Sequence, residues 1–121
     1  MPIPEIIKID EVEYVRKDSI STIDNNDDYC IIRTQNAGVH YGKLFETDLG
    51  IGRVVLKNAR RIWYWDGAAS LSQLAKEGVS KPQNCKFSVP VPEITLLQVI
   101  EIIPCTLSAI KNISQVKEWK A

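Results

Sequence analysis

Tyr29-Cys-Ile-Ile-Arg-Thr-Gln-Asn-Ala-Gly-Val-His-Tyr-Gly-Lys-Leu-Phe45 contains two strand-forming runs around a turn. Residues 29–34 are rich in β-branched and aromatic side chains, and residues 38–45 read as the return strand. Gln35, Asn36, Ala37 and Gly38 between them tolerate the left-handed backbone that a hairpin turn demands. Working outward, Asp48-Leu-Gly-Ile-Gly52 is a second turn, residues 53–57 a third strand, and residues 60–65 a fourth ended by Asp66-Gly67.

The clearest helix follows. Ser70 with Gln73 makes a capping-box pattern, Leu71, Leu74 and Ala75 make an apolar stripe, and Gly78 stands where a left-handed stop belongs. Cys85-Lys-Phe-Ser-Val89, hemmed by Pro82, Pro90 and Pro92, reads as a short edge strand. Residues 94–103 are the most apolar run; their β-branched content and Pro104 favour one central strand, with a buried helix over part of the run as the alternative. Thr106 or Ser108 caps a C-terminal helix bearing Leu107, Ile110 and Ile113. The expected fold is α+β: a small antiparallel sheet with a central short helix, a C-terminal helix and an N-terminal arm. The expected domains are an acidic arm, residues 1–28, and a single α+β body, residues 29–121.

Charge sharpens that division. The chain carries 15 basic and 15 acidic residues, yet residues 1–28 hold eight acids against three bases. A −5 arm therefore precedes a +5 body. Zero net charge argues against a general nucleic-acid coat protein. No apolar run approaches the ~18 residues needed to span a bilayer, and the start lacks a secretory pattern. Cys30, Cys85 and Cys105 are odd in number and widely spaced, which suits small buried thiols in a reduced, cytosolic protein.

Enzyme signatures are sparse. There is no phosphate-loop motif, and Gly50-Ile-Gly52 lacks the third glycine of a dinucleotide fingerprint. One His and three scattered Cys do not suggest a metal site, and no cofactor is expected. A Cys30–His40 nucleophilic pair across the hairpin is set against the ordinary packing role of strand cysteines. The chain is read as a binding protein, not an enzyme.

Asn58-Ala-Arg-Arg-Ile-Trp-Tyr-Trp65 is the run that points to a ligand. Guanidinium groups grip phosphate oxygens, and indole or phenol faces stack on bases. Residues 29–61 hold six bases and two acids, a local +4. Strand alternation places Arg61, Trp63 and Trp65 on one face and Arg60, Ile62 and Tyr64 on the other. One site on one face therefore cannot use both arginines. The candidate ligand-binding residues are Arg33, Asn36, His40, Tyr41, Arg60, Arg61, Trp63 and Trp65. The competing reading keeps Trp63 and Trp65 as core and lets the arginines flank them or pair with the acidic arm.

The run Ile31-Ile-Arg-Thr-Gln-Asn-Ala-Gly-Val-His-Tyr-Gly42, followed by residues 56–75, resembles a family of small phage and prophage proteins; Cys85-Lys-Phe, Val91-Pro-Glu and Glu101-Ile-Ile-Pro-Cys-Thr106 fit its later blocks. The resemblance covers about residues 30–120 and borders on the Thoeris anti-defence proteins, phage-encoded sponges of similar size and element order. It implies capture, without degradation, of a cyclic ADP-ribose-type signal made by a bacterial TIR-domain enzyme. It also implies homo-oligomers with intersubunit pockets, some of which hold cyclic oligonucleotides. No position here inherits a role from those sponges. The expected partner is thus a small phosphorylated nucleotide, with no membrane. The alternatives are a small phage accessory protein associating with DNA or RNA, which the charge balance disfavours, and an enzyme that cleaves the signal.

Overall fold

In the computed structural model, which describes residues 28–121, the first hairpin forms from β1 (Tyr29–Thr34) and β2 (Val39–Asp48). Apart from Asp28, the arm read over residues 1–28 lies outside the described residues. Thr34 holds the turn: its Oγ1 accepts from the Ala37 amide at 2.8 Å and donates to the Gly38 carbonyl at 2.9 Å. This is the local side-chain-to-backbone bonding that favours threonine beside turns.

The strands read at residues 53–57 and 60–65 are one strand, β3 (Arg53–Tyr64). What divides them in sequence is a bulge. Tyr41 pairs with Arg60 and Lys43 with Lys57, so Asn58 and Ala59 together oppose Gly42. Asn58 takes a left-handed φ of 50°, a conformation asparagine tolerates better than most residues. The partner at the crowded point is glycine because a Cβ on Gly42 would lie 3.1 Å from both the Ala59 Cα and the Leu56 Cβ. The bulge reverses the alternation. Val54, Leu56 and Ala59 all reach one core, while Arg60 and Ile62 face the other way.

The apolar run read as one central strand is two: β5 (Val91–Leu96) and β6 (Val99–Pro104), broken at Leu97-Gln98, where Gln98 has φ 57°. The short β4 (Lys86–Phe87) and β5 share the outer edge of β3, and β6 pairs with β1. Across β5-β3-β2-β1-β6 a flat sheet would separate the outer strands by about 19 Å. The Leu96–Val99 link spans at most about 11 Å. The sheet therefore curls until its ends meet at this corner, which the Val99 amide ties to the Gly52 carbonyl at 2.9 Å.

Curling creates two cores. Cys30, Ile32, Val54, Leu56, Ala59 and Leu96 fill the inside. Outside, Ile31, Tyr41, Ile62 and Phe87 pack against helices α1 (Leu71–Glu77) and α2 (Leu107–Ser114). Burying each large apolar side chain here contributes roughly 1.5–3 kcal/mol.

Local signals start and stop both helices. Ser70 Oγ accepts from the Gln73 amide at 3.1 Å, and the Gln73 side chain reaches back to the Ala69 amide, one residue before the expected partner. Gly78 ends α1 at φ 81°, where a Cβ would collide with the Asn112 side chain. That side chain bonds both backbone groups of Val79, at 2.8 and 2.9 Å, and so locks α2 to the end of α1. Thr106 caps α2 by accepting from the Ala109 amide at 3.1 Å. The architecture is α+β: a six-stranded antiparallel sheet with two helices. Among the described residues no helix is long and apolar enough to cross a membrane.

Candidate functional site

Beyond the Asn58 bulge, alternation sends the two arginines to opposite faces. Arg60 turns toward the helices and is 4% exposed. Its Nε donates to the Ser88 carbonyl at 2.9 Å and its Nη1 to the Ile113 carbonyl at 3.0 Å, while the guanidinium lies 5.3 Å from the centre of the Phe87 ring. Nη2 is buried without a hydrogen-bond partner among the described residues. Burial lowers the pKa of this guanidinium, against which Glu118 and Tyr41 act to raise it. A cation donating to a carbonyl near the C-terminus of α2 also meets the negative end of the helix. Tyr41 stands beside Arg60, its hydroxyl 3.4 Å from Ser114 Oγ and its ring stacked on Tyr29 at 5.1 Å. The two line a cavity of about 100 Å³ with Asn58, Ser114 and Glu118.

A different group forms on the other side. Asn36, Arg61, Trp63 and Trp65 line one cleft of about 340 Å³, with Ala37 and Gly38 at its rim. The pairing of β2 with β3 brings them together, because His40 opposes Arg61 and Val39 opposes Ile62. The Arg61 guanidinium rests 5.0 Å from the centre of the Trp63 ring, an indole that is 57% exposed. Trp65, just past the end of β3, is half-buried and packs on the Ile62 core. One tryptophan is thus free to offer its face, and the other is anchored while still walling the cleft.

The remaining candidates stand apart from this cleft. Arg33 forms an ion pair with Glu101 at 2.9 Å on the β1–β6 edge. His40 is fully buried beneath the turn, its Nε2 2.9 Å from the Ala37 carbonyl and its Nδ1 without a hydrogen-bond partner among the described residues. With a carbonyl as its neighbour, Nε2 is assigned the proton. Burial pushes the His40 pKa below 6.5, the Ala37 hydrogen bond opposes that, and the Arg61 charge adds to it.

A pH prediction follows from His40. The unfolded chain takes up a proton near pH 6.5, the folded one only at lower pH. Between those values the unfolded state binds more protons, so stability falls with pH from about 6.5 and levels off below the folded-state pKa. Urea denaturation at pH 7.5 and 5.5 checks it: the wild-type midpoint drops, and His40→Gln loses most of that drop.

Sequence reading missed Trp119. Glu118 forms a parallel bridge to Phe87, and the Trp119 amide donates to the Phe87 carbonyl at 2.8 Å. This docks the end of the chain on β4 and sets the Trp119 ring edge-to-face with Trp63, centroids 6.4 Å apart. Lys86 Nζ lies 5.3 Å from the centre of the Trp119 ring. No local pattern announces this contact.

The thiols are poor nucleophiles. Burial first, and Asp28 second, push Cys30 up to about 11; burial first, and Cys30 second, push Cys105 up to about 12. Among the described residues no three His, Cys, Asp or Glu side chains gather where they could hold a metal ion.

A family model matches residues 27–113. The chain belongs to the DUF6948 family, a domain of unknown function. The DUF6948 match takes in the whole hairpin, the bulged β3, the cleft formed by Asn36, Arg61, Trp63 and Trp65, and all but the last residue of α2. It stops before Trp119, so the aromatic contact made by the end of the chain lies outside it. No curated protein and no solved structure matches the chain.

Proposed function

We propose that this domain binds and sequesters a small phosphorylated nucleotide in the Arg61 cleft, without degrading it. One observation carries the reading. On this sheet Arg33, Arg53 and Lys57 are each held by a glutamate, and Arg60 is buried against carbonyls. Arg61 has no acidic partner among the described residues and lies over an exposed indole at the mouth of a cleft. A phosphate on Arg61, a base against Trp63 and an amide donor from Asn36 make a nucleotide-sized constellation. The volume, about 340 Å³, sits at the small end of ligand pockets. A second subunit closing over this open cleft would enlarge and dry it, as expected of a homo-oligomer with intersubunit sites.

The resemblance to phage anti-defence sponges gives the proposal its biological form: a cytoplasmic, prophage-encoded protein that removes a cyclic ADP-ribose-type or cyclic oligonucleotide signal. Sequestration needs affinity and no nucleophile, and the suppressed thiols and enclosed His40 suit that role. Calorimetry with cyclic ADP-ribose isomers, cyclic di- and trinucleotides and adenosine monophosphate tests it. Binding is expected in the wild type and about tenfold or more weaker in Arg61→Ala, the scale of a lost hydrogen bond to a charged group. No heat with any of these at tens of micromolar protein would sink the proposal. Ligand recovered intact after heat denaturation separates a sponge from an enzyme.

A further inference from the structure

Two clefts adjoin across the Trp63–Trp119 pair. The first is the Arg61 cleft. The second, about 470 Å³, is lined by Gln83, Cys85, Lys117, Trp119 and Lys120 together with Pro82 and Glu118. Its Glu118 carboxylate is 3.5 Å from Lys120 Nζ, which offsets the acid within the wall. Lys117 has no acidic partner among the described residues, nor does Lys86, which lies over the Trp119 ring. Each cleft therefore presents the same pair of features: an exposed indole and a cation not spent on a carboxylate. Trp63 is 57% exposed and Trp119 50%. The rings touch edge to face at 65°, an angle that leaves no parallel slot for one base between them. Each ring instead lines its own cleft, Trp63 the first and Trp119 the second, and is inferred to serve as a separate stacking plane there.

We infer that the two clefts form one bipartite site whose ligand is a dinucleotide: two nucleoside units joined through phosphate. The first unit sits by Arg61 and Trp63, the second stacks on Trp119, and the bridging phosphate lies across the ridge between Arg61 and the lysines. The second subsite extends the Arg61 cleft and rests on nucleotide binding there. Ring centroids 6.4 Å apart put the two planes within reach of adjacent nucleotides, and joining two weak subsites through one ligand multiplies their affinities. The bridge between Glu118 and Phe87 and the bond from the Trp119 amide are backbone contacts. Trp119→Ala therefore removes the stacking plane while leaving the docking of this segment in place.

The experiment is calorimetry of the full chain with adenosine monophosphate, the linear dinucleotide pApA and an eight-nucleotide oligoadenylate. Thermal melting confirms that Trp119→Ala stays folded. The wild type is expected to hold pApA at least about tenfold more tightly than the mononucleotide, the scale of one base stacked on an aromatic ring. Trp119→Ala removes the advantage of pApA over the mononucleotide, so that the two ligands bind this variant equally. If the mononucleotide binds, but pApA is no tighter and Trp119→Ala changes neither, the second subsite is wrong and the Arg61 cleft stands. If the wild type holds neither, the dinucleotide site falls, and the Arg61 reading falls with it when the cyclic nucleotides also give no heat. If affinity keeps rising to the octanucleotide and collapses with salt, the occupant is single-stranded nucleic acid and the dinucleotide assignment is overturned.

Discussion

Arg60→Ala is expected to lower the stability of the domain by about 3 kcal/mol, while the same change at Arg61 stays within about 0.5 kcal/mol. The residues are adjacent and chemically identical, so the contrast comes from what surrounds them. Arg60 donates to the Ser88 carbonyl after β4 and to the Ile113 carbonyl of α2, which ties β3 to two other elements. Truncation leaves both acceptors without this donor and opens a void beside Phe87. One effect runs the other way. Arg60 is a buried cation with no ion pair among the described residues, and removing it recovers part of its desolvation cost. Arg60→Met, which keeps the volume and loses the charge, should therefore cost less than alanine, about 1–2 kcal/mol. For a domain this size, 3 kcal/mol corresponds to a melting-point drop of roughly 15 °C. Urea and thermal denaturation of the three variants decide it. Equal stability of the two alanine variants would show that Arg60 clamps nothing.

This pair also shows how much of the molecule was legible in sequence. Strand alternation alone separates Arg60 from Arg61, and the structure places them in different cavities. The first hairpin, α1 with Ser70 and Gly78, and α2 with Thr106 were readable because turn and cap chemistry acts over three or four residues. The merged β3 was not. Asn58 reverses the alternation, so the chain on either side looked like two strands. The corner at Leu97-Gln98 was hidden for another reason. It contains neither glycine nor proline, and the curl of the whole sheet, a property no short window holds, imposes φ 57° on Gln98. The same limit applies at the candidate site. Asn36, Arg61, Trp63 and Trp65 meet through one hairpin-like pairing of β2 with β3. Trp119 reaches Trp63 only after two helices and three strands have folded between them.

Deleting Asn58 is expected to leave a domain that unfolds cooperatively and in which Arg60 is still the buried arginine. Side-chain direction on a strand alternates with period two, so removing one residue from an unbroken strand would reverse every side chain on one side of it. At a bulge the extra residue has already made that reversal, and removing it restores a regular ladder. Ala59 alone then opposes Gly42, while Lys57 stays opposite Lys43 and Arg60 opposite Tyr41. Leu56 and Ala59 keep facing the core inside the curl, and Ile62 keeps facing the helices. Handing the bulge to Ala59 is the costly alternative, because its Cβ makes a left-handed backbone cost roughly 1–2 kcal/mol. It would also carry Arg60 into the place of Ala59, 1% exposed, as a buried guanidinium without its carbonyl acceptors. The deletion loses the extra local twist that the bulge gives β3, at an expected cost of about 1–2 kcal/mol. Asn58→Gly is the control. Glycine adopts φ 50° without strain, and the change loses only an exposed bond from Asn58 Nδ2 to the Tyr29 hydroxyl. It should unfold cooperatively within about 1 kcal/mol of the wild type. Near-ultraviolet circular dichroism with urea titration reads both variants. Loss of a sharp transition in the deletion, with Asn58→Gly intact, would mean that the curled sheet needs the twist of the bulge and not the register alone.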